Sequence, residues 1–336
     1  MSHDGAPLGE ISINRRTLLK AGGSLLLTGI SAPSLSQATY PSKPIRVVIP
    51  YPPGGPTDIV GRIVCHALSE RTGQTVTIEN KPGASGMIGS DIVSKSPPNG
   101  YTLLVNVSVH VVNPAIYSKM PHDPLKDFTP ITNLAYTPIQ LVVGADFPAK
   151  SIAELVKLIK ENPGRYNYAS SSPGVPGHLM GELFKQTEHL DVVHVPYKGS
   201  VPALTDVIGG QVSFMFDSMP SSINLVKSGR LRALGVSSPQ RLAILPDVPT
   251  FAEQNFPELN LTTWYGLWGP PDMPNALTEQ IYGLVSQVLA QPSVRKRIQE
   301  ALAEPMGDSP EKFKLFCNEE ARRYASIVKT AGIKIE

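Results

Sequence analysis

The sequence predicts an α/β protein made of two lobes, each a mainly parallel sheet flanked by helices, with a ligand cleft between the lobes. Short apolar runs rich in β-branched residues, such as Ile45–Ile49, alternate with segments whose apolar residues recur at helical spacing. About 298 of the 336 residues remain after an N-terminal leader segment, which is more than one typical domain. Two loops rich in glycine and proline share one design, one in each half of the chain.

Residues 1–38 have the pattern of an export signal. Arg15 and Arg16 precede a weakly apolar stretch at residues 21–30, which is too short to span a bilayer. Small residues up to Ala38 suit cleavage by signal peptidase, so the mature chain is expected to begin at Thr39 in the periplasm. The paired arginines favour a twin-arginine signal. A general secretory signal and a disordered cytoplasmic tail are the alternatives.

Composition argues against several functional classes. Without residues 1–38 the chain keeps 27 basic and 26 acidic residues, and they are scattered, unlike the basic face of a nucleic-acid-binding protein. No later stretch is apolar and long enough to predict a membrane span. The histidines lack metal-binding spacing and a cysteine pair, so neither a metal nor a cofactor is expected. Cys65 and Cys317 are expected to be two buried thiols, with a disulfide as the alternative.

The first lobe is predicted from residues 39–140 together with residues 263–336. Its first strand ends at Pro50, and a helix that begins at Thr57 stops at Gly73, which suits a left-handed C-cap. The other elements expected before residue 140 are a strand at 76–79, a helix at 84–95 and a strand at 101–105. Beyond Trp264 the chain is expected to be mainly helical, with helices at 276–290, 293–302 and 310–330.

The second lobe is predicted from residues 141–262. Ser151 and Glu154 form a capping-box pattern at the start of a helix that ends near Asn162. The strands are expected at 141–143, 166–169, 192–195, 212–216 and 231–236, and a further helix begins at His178. This alternation again predicts a parallel sheet covered by helices.

The two similar loops are the strongest candidates for a binding site. In residues 51–58, Gly54 and Gly55 allow the backbone to approach a ligand, and three prolines stiffen the turn. Residues 170–178 repeat this design with serines and glycines. Each loop lies between a strand and a helix, where unpaired N–H groups favour an anion such as a carboxylate. The competing interpretation of the first loop is a tight turn in which Asp58 only neutralises the helix dipole.

Nucleotide binding and hydrolysis are the other functions that such loops could serve. No P-loop lysine follows the glycines, and no G-x-G-x-x-G follows a strand, so a nucleotide site is not supported. A periplasmic serine hydrolase could use Ser171 or Ser172 with His178, and Asp217 supplies the third residue type. No G-x-S-x-G elbow accompanies them. The favoured expectation is therefore a binding protein rather than an enzyme.

Several stretches match a known family in the expected order over nearly the whole mature chain. They include YPSKPIRVVIPYPPGGPTDIVGR, VPYKGSVPALTDVIGGQVSFMFDS, SGRLRALGVSSPQRLAILPDVPTFAE and WYGLWGP. The sequence thereby resembles the Bug family, the periplasmic solute receptors of tripartite tricarboxylate transporters. The resemblance implies a two-lobed receptor of the type II periplasmic-binding class. Such a receptor captures a small carboxylate and presents it to membrane permease subunits, and a monomer is expected.

The resemblance also implies which residues contact the ligand. In the first lobe these are Tyr51, Gly55, Thr57, Asp58 and Ser108. In the second lobe they are Ser170, Ser171, Gly174, His178, Tyr197, Lys198 and Asp217.

Two of the loop residues bear on ligand class. Val175 stands where family members usually have serine or threonine, and the lost hydroxyl predicts an aromatic or aliphatic acid rather than citrate. An ionised Asp217 facing the cleft would repel a second carboxylate and favour an ammonium group, whereas pairing with Lys198 would remove that preference. The sequence leaves both alternatives for Asp217 open.

Overall fold

The computed structural model describes residues 40–330, together with Met1, Gly5 and Gly332. The predicted export signal at residues 1–38 therefore lies outside the described residues, apart from Met1 and Gly5. None of the helices in the described part of the chain is long and apolar enough to cross a membrane.

Strands and helices alternate through most of this region, as the sequence predicts. The strands are β1 (Ile45–Ile49), β2 (Val76–Asn80), β3 (Thr102–Val107), β4 (Thr129–Gly144), β5 (Tyr166–Ser170), β6 (Val192–Pro196), β7 (Phe214–Ser218), β8 (Leu231–Val236), β9 (Thr262–Gly269) and β10 (Glu304–Pro305). The helices are α1 (Pro56–Thr72), α2 (Met87–Ser94), α3 (Val109–Ile116), α4 (Ile152–Glu161), α5 (Pro176–Thr187), α6 (Ser200–Ile208), α7 (Met219–Lys227), α8 (Asn275–Ala290), α9 (Pro292–Glu300) and α10 (Pro310–Thr330). The α/β class is confirmed.

The strands form one mixed sheet in the order β2-β1-β3-β9-β4-β7-β5-β6, and β8 and β10 also pair with β4. Strand β4 connects the two halves because it is long. Its residues 129–138 pair with β9, and its residues 139–144 pair with β7 and β8. On either side lie parallel pairs, β1 with β2 and β3, and β5 with β6 and β7. The lobe boundaries expected near residues 140 and 262 stay predictions.

Helices cover both faces of the sheet, and this explains why the strands are apolar without alternation. Val47 and Ile49 pack in the cluster that contains α1 and α8, whereas Val48 packs in the cluster that contains Phe313 of α10. Burial on both faces favours continuous runs of valine, isoleucine and leucine.

Strand β9 is an element that the sequence pattern did not predict. Its residues are almost all buried, so no polar residues alternate with the apolar ones. Gly266 and Gly269 also lower its intrinsic preference for a strand. Both tryptophans, Trp264 and Trp268, lie in β9 and are buried. The indole N–H of Trp264 donates to Oε2 of Glu320 on α10 at 3.0 Å.

The helix expected at 84–95 begins later than predicted. Residues 84–86 form a single 3-10 turn, and α2 starts at Met87, because Ala84 and Ser85 adopt left-handed backbone conformations. The two cysteines are free and buried, Cys65 on the core face of α1 and Cys317 in the tryptophan cluster.

Two glycine substitutions, one in a buried helix face and one in an open position, test how tightly the core around α5 is packed. A Cβ at Gly181 in α5 would overlap the ring of buried Tyr168, whereas a Cβ at Gly283 in α8 would meet nothing within 4 Å. We expect Gly181→Ala to lower the free energy of unfolding by about 1–3 kcal/mol because the core is overpacked. Gly283→Ala should raise it by up to about 1 kcal/mol through helix propensity. Urea denaturation measures both changes, and an equal effect of the two would contradict this packing.

Candidate ligand-binding cleft

Four helix N-termini meet at one cavity between the two halves of the sheet. The N-cap residues Gly55, Val175, Gly199 and Ser218, which precede α1, α5, α6 and α7, all line it. None of the four helices is capped by a side chain of its N-cap residue. The first N–H groups of a helix have no partner within the helix and carry partial positive charge, so this cavity suits an anion.

The rest of the cavity wall is mostly apolar. The cavity is narrow, because the space that the centre of a water molecule can occupy in it is about 30 Å³. Its apolar wall consists of Pro52, Pro53, Pro56, Val107, Val175, Val201 and Phe216. A largely apolar pocket with a few convergent polar groups is typical of sites for small organic ligands.

The cavity at the four helix starts is here called the inner cavity. Five of the residues predicted to contact a ligand line it: Tyr51, Gly55, Thr57, Ser171 and Asp217. A second cavity, here called the outer cavity, shares Tyr51, Pro52 and Ser171 with the inner one and adds Tyr197 and Lys198. The remaining predicted residues, Asp58, Ser108, Ser170, Gly174 and His178, line neither cavity.

Asp58 stabilises the conformation of the first loop, residues 51–58, without lining either cavity. Its Oδ2 accepts hydrogen bonds from the backbone N–H of Gly54 at 2.9 Å and from Nε of Arg62 at 2.7 Å, and its Oδ1 accepts from Asn80 at 3.0 Å. Burial alone would raise the pKa of Asp58, but these hydrogen bonds bring it below its ordinary value. The aspartate that follows the glycines therefore holds Gly54 in its left-handed turn and directs Gly55 toward the cavity.

His178 has the corresponding role in the second loop. Its Nδ1 accepts the backbone N–H of Gly174 at 3.0 Å, and its ring stacks on His194 with centroids 4.0 Å apart. Burial lowers the pKa of His178 to about 4 and that of His194 to about 3. Both rings are therefore neutral at neutral pH. His178 must carry its proton on Nε2, because Nδ1 is an acceptor.

Two of the three serines of this loop, Ser170 and Ser172, are engaged in structural hydrogen bonds. Ser170 Oγ donates to the carbonyl of Ser172 at 3.1 Å and lies 2.7 Å from Nε2 of His194. Ser172 Oγ donates to Ser85 Oγ at 3.1 Å. The hydrolase alternative requires Ser171 or Ser172 to bond His178, but Nδ1 of that ring is occupied by Gly174. The geometry therefore does not favour this alternative.

Asp217 is the one charged side chain among the residues that line the inner cavity. Its Oδ1 accepts from Ser200 Oγ at 2.8 Å and its Oδ2 from Ser221 Oγ at 2.5 Å. Burial raises the pKa of Asp217 above its ordinary value, and these hydrogen bonds oppose the rise only in part. Within the described part of the chain, no ion pair joins it to Lys198.

Ser108 lies away from both cavities at the start of α3. Its side chain is fully buried, and its backbone N–H donates to the carbonyl of Trp264 at 3.0 Å. The starts of α6 and α7 were not singled out in the sequence. The signal was present, because Gly199-Ser200 and Asp217-Ser218 also stand where a strand meets a helix.

This arrangement of a two-lobed α/β fold with helix starts around an inter-lobe cleft defines the class of periplasmic solute-binding proteins, and solved structures of that class match it. The family model for the tripartite tricarboxylate transporter family receptor matches residues 60–333. The chain belongs to this receptor family, which confirms the resemblance to the Bug proteins.

Two curated relatives cover nearly the whole chain. A protein of the tcbD-tcbE intergenic region of Pseudomonas sp. strain P51 is 36% identical over 94% of each chain. BugT of Bordetella pertussis strain Tohama I is 32% identical over 96% of this chain and 100% of its own.

Three solved structures are also similar. One described as a periplasmic transporter is 41% identical with a TM-score of 0.85, covering 88% of this chain and 100% of its own. R. palustris Rpa4515, solved with adipate, is 34% identical with a TM-score of 0.85 over the same shares. MatC from Rhodopseudomonas palustris, solved with malate, is 29% identical with a TM-score of 0.81, covering 86% and 100%.

Protonation of His178 should destabilise the protein in acid. An unfolded histidine takes up its proton near its ordinary pKa of 6.5, whereas folded His178 stays neutral down to about pH 4. The unfolded state therefore binds more protons between these values. The free energy of unfolding should fall as the pH drops, by at most about 1.4 kcal/mol per pH unit.

The variant His178→Asn isolates this contribution, because its Oδ1 can still accept the Gly174 N–H without titrating. We expect a shallower loss of stability between pH 6.5 and 4 than in the wild type, measured by urea denaturation. His66→Asn, at an exposed position of α1, is the matched control. Equal pH slopes in wild type and His178→Asn would contradict a neutral buried His178.

Proposed function

We propose that this receptor captures a small organic acid in the inner cavity and delivers it to the permease subunits of a tripartite tricarboxylate transporter. The convergence of four helix starts on one cavity carries the proposal. Helix starts offer backbone N–H groups that favour a carboxylate. Two relatives were solved with adipate and with malate, and these ligands support the organic-acid class for this chain.

The charge distribution around the cleft restricts how an acid binds. Asp217 lies beside the starts of α6 and α7, where it accepts the hydroxyls of Ser200 and Ser221, and its carboxylate would repel that of a ligand there. The starts of α1 and α5 are therefore the ones that hold the carboxylate of the ligand. The end of the ligand that lies nearest Asp217 is neutral or positively charged, because a second carboxylate there would be repelled. Tyr197 and Lys198 lie at the outer cavity and contact only ligands long enough to reach it.

The apolar lining favours an acid with an apolar body. Val175 lines the cavity with methyl groups at a position where a hydroxyl would suit a more polar ligand. Phe216 and Val201 add further apolar surface to the lining. The preferred ligands are therefore aliphatic or aromatic acids rather than citrate.

The remaining parts of the proposal concern the cell. The receptor is exported through a twin-arginine signal that is cleaved after Ala38, acts as a monomer in the periplasm, and has no catalytic activity of its own. Its relatives are solute-binding receptors, which supports a binding role without catalysis.

Gly55→Val tests the inner cavity directly. Gly55 has an ordinary extended backbone, and a Cβ there would meet only the carbonyl of Pro52, at 3.6 Å. The protein should fold, but the valine should displace a carboxylate from the start of α1. Losing a hydrogen bond to a charged group weakens affinity by about 10- to 100-fold.

Calorimetry with adipate and with hexanoate measures this loss, and thermal denaturation confirms folding. Gly283→Val, on α8 and away from the cleft, is the control. Unchanged affinity in Gly55→Val would exclude the inner cavity as the ligand site.

Val175→Thr should shift the preference toward more polar acids. The two side chains have nearly the same shape, and the added hydroxyl can donate to an oxygen of malate or citrate. One such hydrogen bond is worth about 1 kcal/mol, or about a five-fold gain in affinity, while hexanoate should bind more weakly. The control is Val193→Thr on the exposed edge strand. Tight citrate binding by the wild type, with none of monocarboxylates, would contradict the proposed ligand class.

A further inference from the structure

One of the side-chain hydrogen bonds between the two halves of the protein lies beside the outer cavity. Ser172 Oγ, in the loop between β5 and α5, donates to Ser85 Oγ, in the turn between β2 and α2, at 3.1 Å. Strands β2 and β5 stand near opposite ends of the sheet. Ser85 and Ser172 are only 6% and 5% exposed, so water competes little for this contact.

Ser85 is held in an unfavourable backbone conformation to make this contact. Its φ of +50° and the φ of +46° at Ala84 are left-handed, which is costly for residues other than glycine. The carbonyl of Ser85 accepts from Nδ2 of Asn113 at 3.0 Å, and its hydroxyl lies 2.6 Å from the hydroxyl of Tyr117. Strain of this kind persists only where the surroundings enforce it, and it concentrates at functional positions.

The hydroxyl groups form a directed chain. Because Ser172 donates to Ser85, Ser85 is free to donate its own hydrogen to Tyr117. Asn113 and Tyr117 belong to α3 and the residue that follows it. The first half of the protein therefore presents a preorganised acceptor to Ser172 of the second half.

Glycine lets the two halves approach each other closely at the same place. A Cβ on Gly174 would lie 2.6 Å from Cδ1 of Ile116 and 3.1 Å from Cγ2 of Val109, so the second loop packs directly on α3. A Cβ on Gly199 would lie 3.1 Å from Pro52 of the first loop. These contacts bring the two halves together beside the Ser172–Ser85 hydrogen bond.

We infer that the Ser172–Ser85 hydrogen bond is a latch that holds the cleft closed and slows release of the ligand. The inference deepens the proposed function, on which it rests for the ligand part alone. Opening the cleft separates Ser85 from Ser172 and exposes both hydroxyls to water. Loss of a net hydrogen bond of ordinary strength changes the ratio of closed to open protein about five-fold.

Closure is measured first without ligand. Spin labels on cysteines at Lys95 and Lys157, both well-exposed and in different halves, report the distance between those halves. We expect Ser85→Ala and Ser172→Ala each to shift the distance distribution toward longer values, and the double variant to shift it no further than either one. Ser228→Ala, which removes an exposed hydroxyl on α7's C-cap, is the matched control.

Ser85→Gly distinguishes the effect of losing the hydroxyl from the effect of backbone strain. Glycine removes the hydroxyl but adopts the left-handed conformation freely. A shift like that of Ser85→Ala supports the latch, and a wild-type distribution in Ser85→Gly refutes it. Unchanged distances in both alanine variants, or additive shifts in the double variant, also refute it.

The ligand part uses adipate as the probe. We expect the alanine variants to release adipate about five-fold faster in stopped-flow displacement. If adipate, hexanoate and the other organic acids fail to bind every variant and the wild type, the proposed function fails. In that case the distances between the two spin labels still test whether the Ser172–Ser85 hydrogen bond holds the cleft closed.

Discussion

The N–H groups at four helix starts, which have no partner within their own helices, are the feature on which the cleft depends. Helix N-termini carry partial positive charge and need a partner, and here four of them open onto the same cavity. An anion placed there gains hydrogen bonds without requiring a lysine or an arginine in the inner wall. The prolines at the first position of α1 and α5 preserve this arrangement, because that position needs no N–H within the helix.

Buried polar side chains hold the loops and helix starts around the cavity in place. Asp58 accepts the N–H of Gly54, His178 accepts that of Gly174, and Asp217 takes hydroxyls from the starts of α6 and α7. Each of the three is buried and was a candidate for ligand contact. In the structure, Asp58 and His178 support the loops from behind, and Asp217 alone lines the cavity.

The sheet explains how such distant segments reach one place. Strand β4 pairs with β9 in one half and with β7 and β8 in the other. The carboxyl ends of the parallel strands on both sides therefore face the same cleft. The latch contact between Ser85 and Ser172 spans 87 residues of sequence and depends on the same geometry.

The sequence by itself determined the local features of this protein. The glycines at 54, 55 and 174 and the prolines around them are readable as strand-to-helix turns, because turn preference depends on neighbouring residues. Tertiary structure alone decided that β9 lies between β3 and β4, that Gly199 and Ser218 join the same cavity, and that His178 faces Gly174 rather than a serine. These outcomes depend on packing between residues far apart in the chain, and a fully buried strand has no polar alternation to reveal its place.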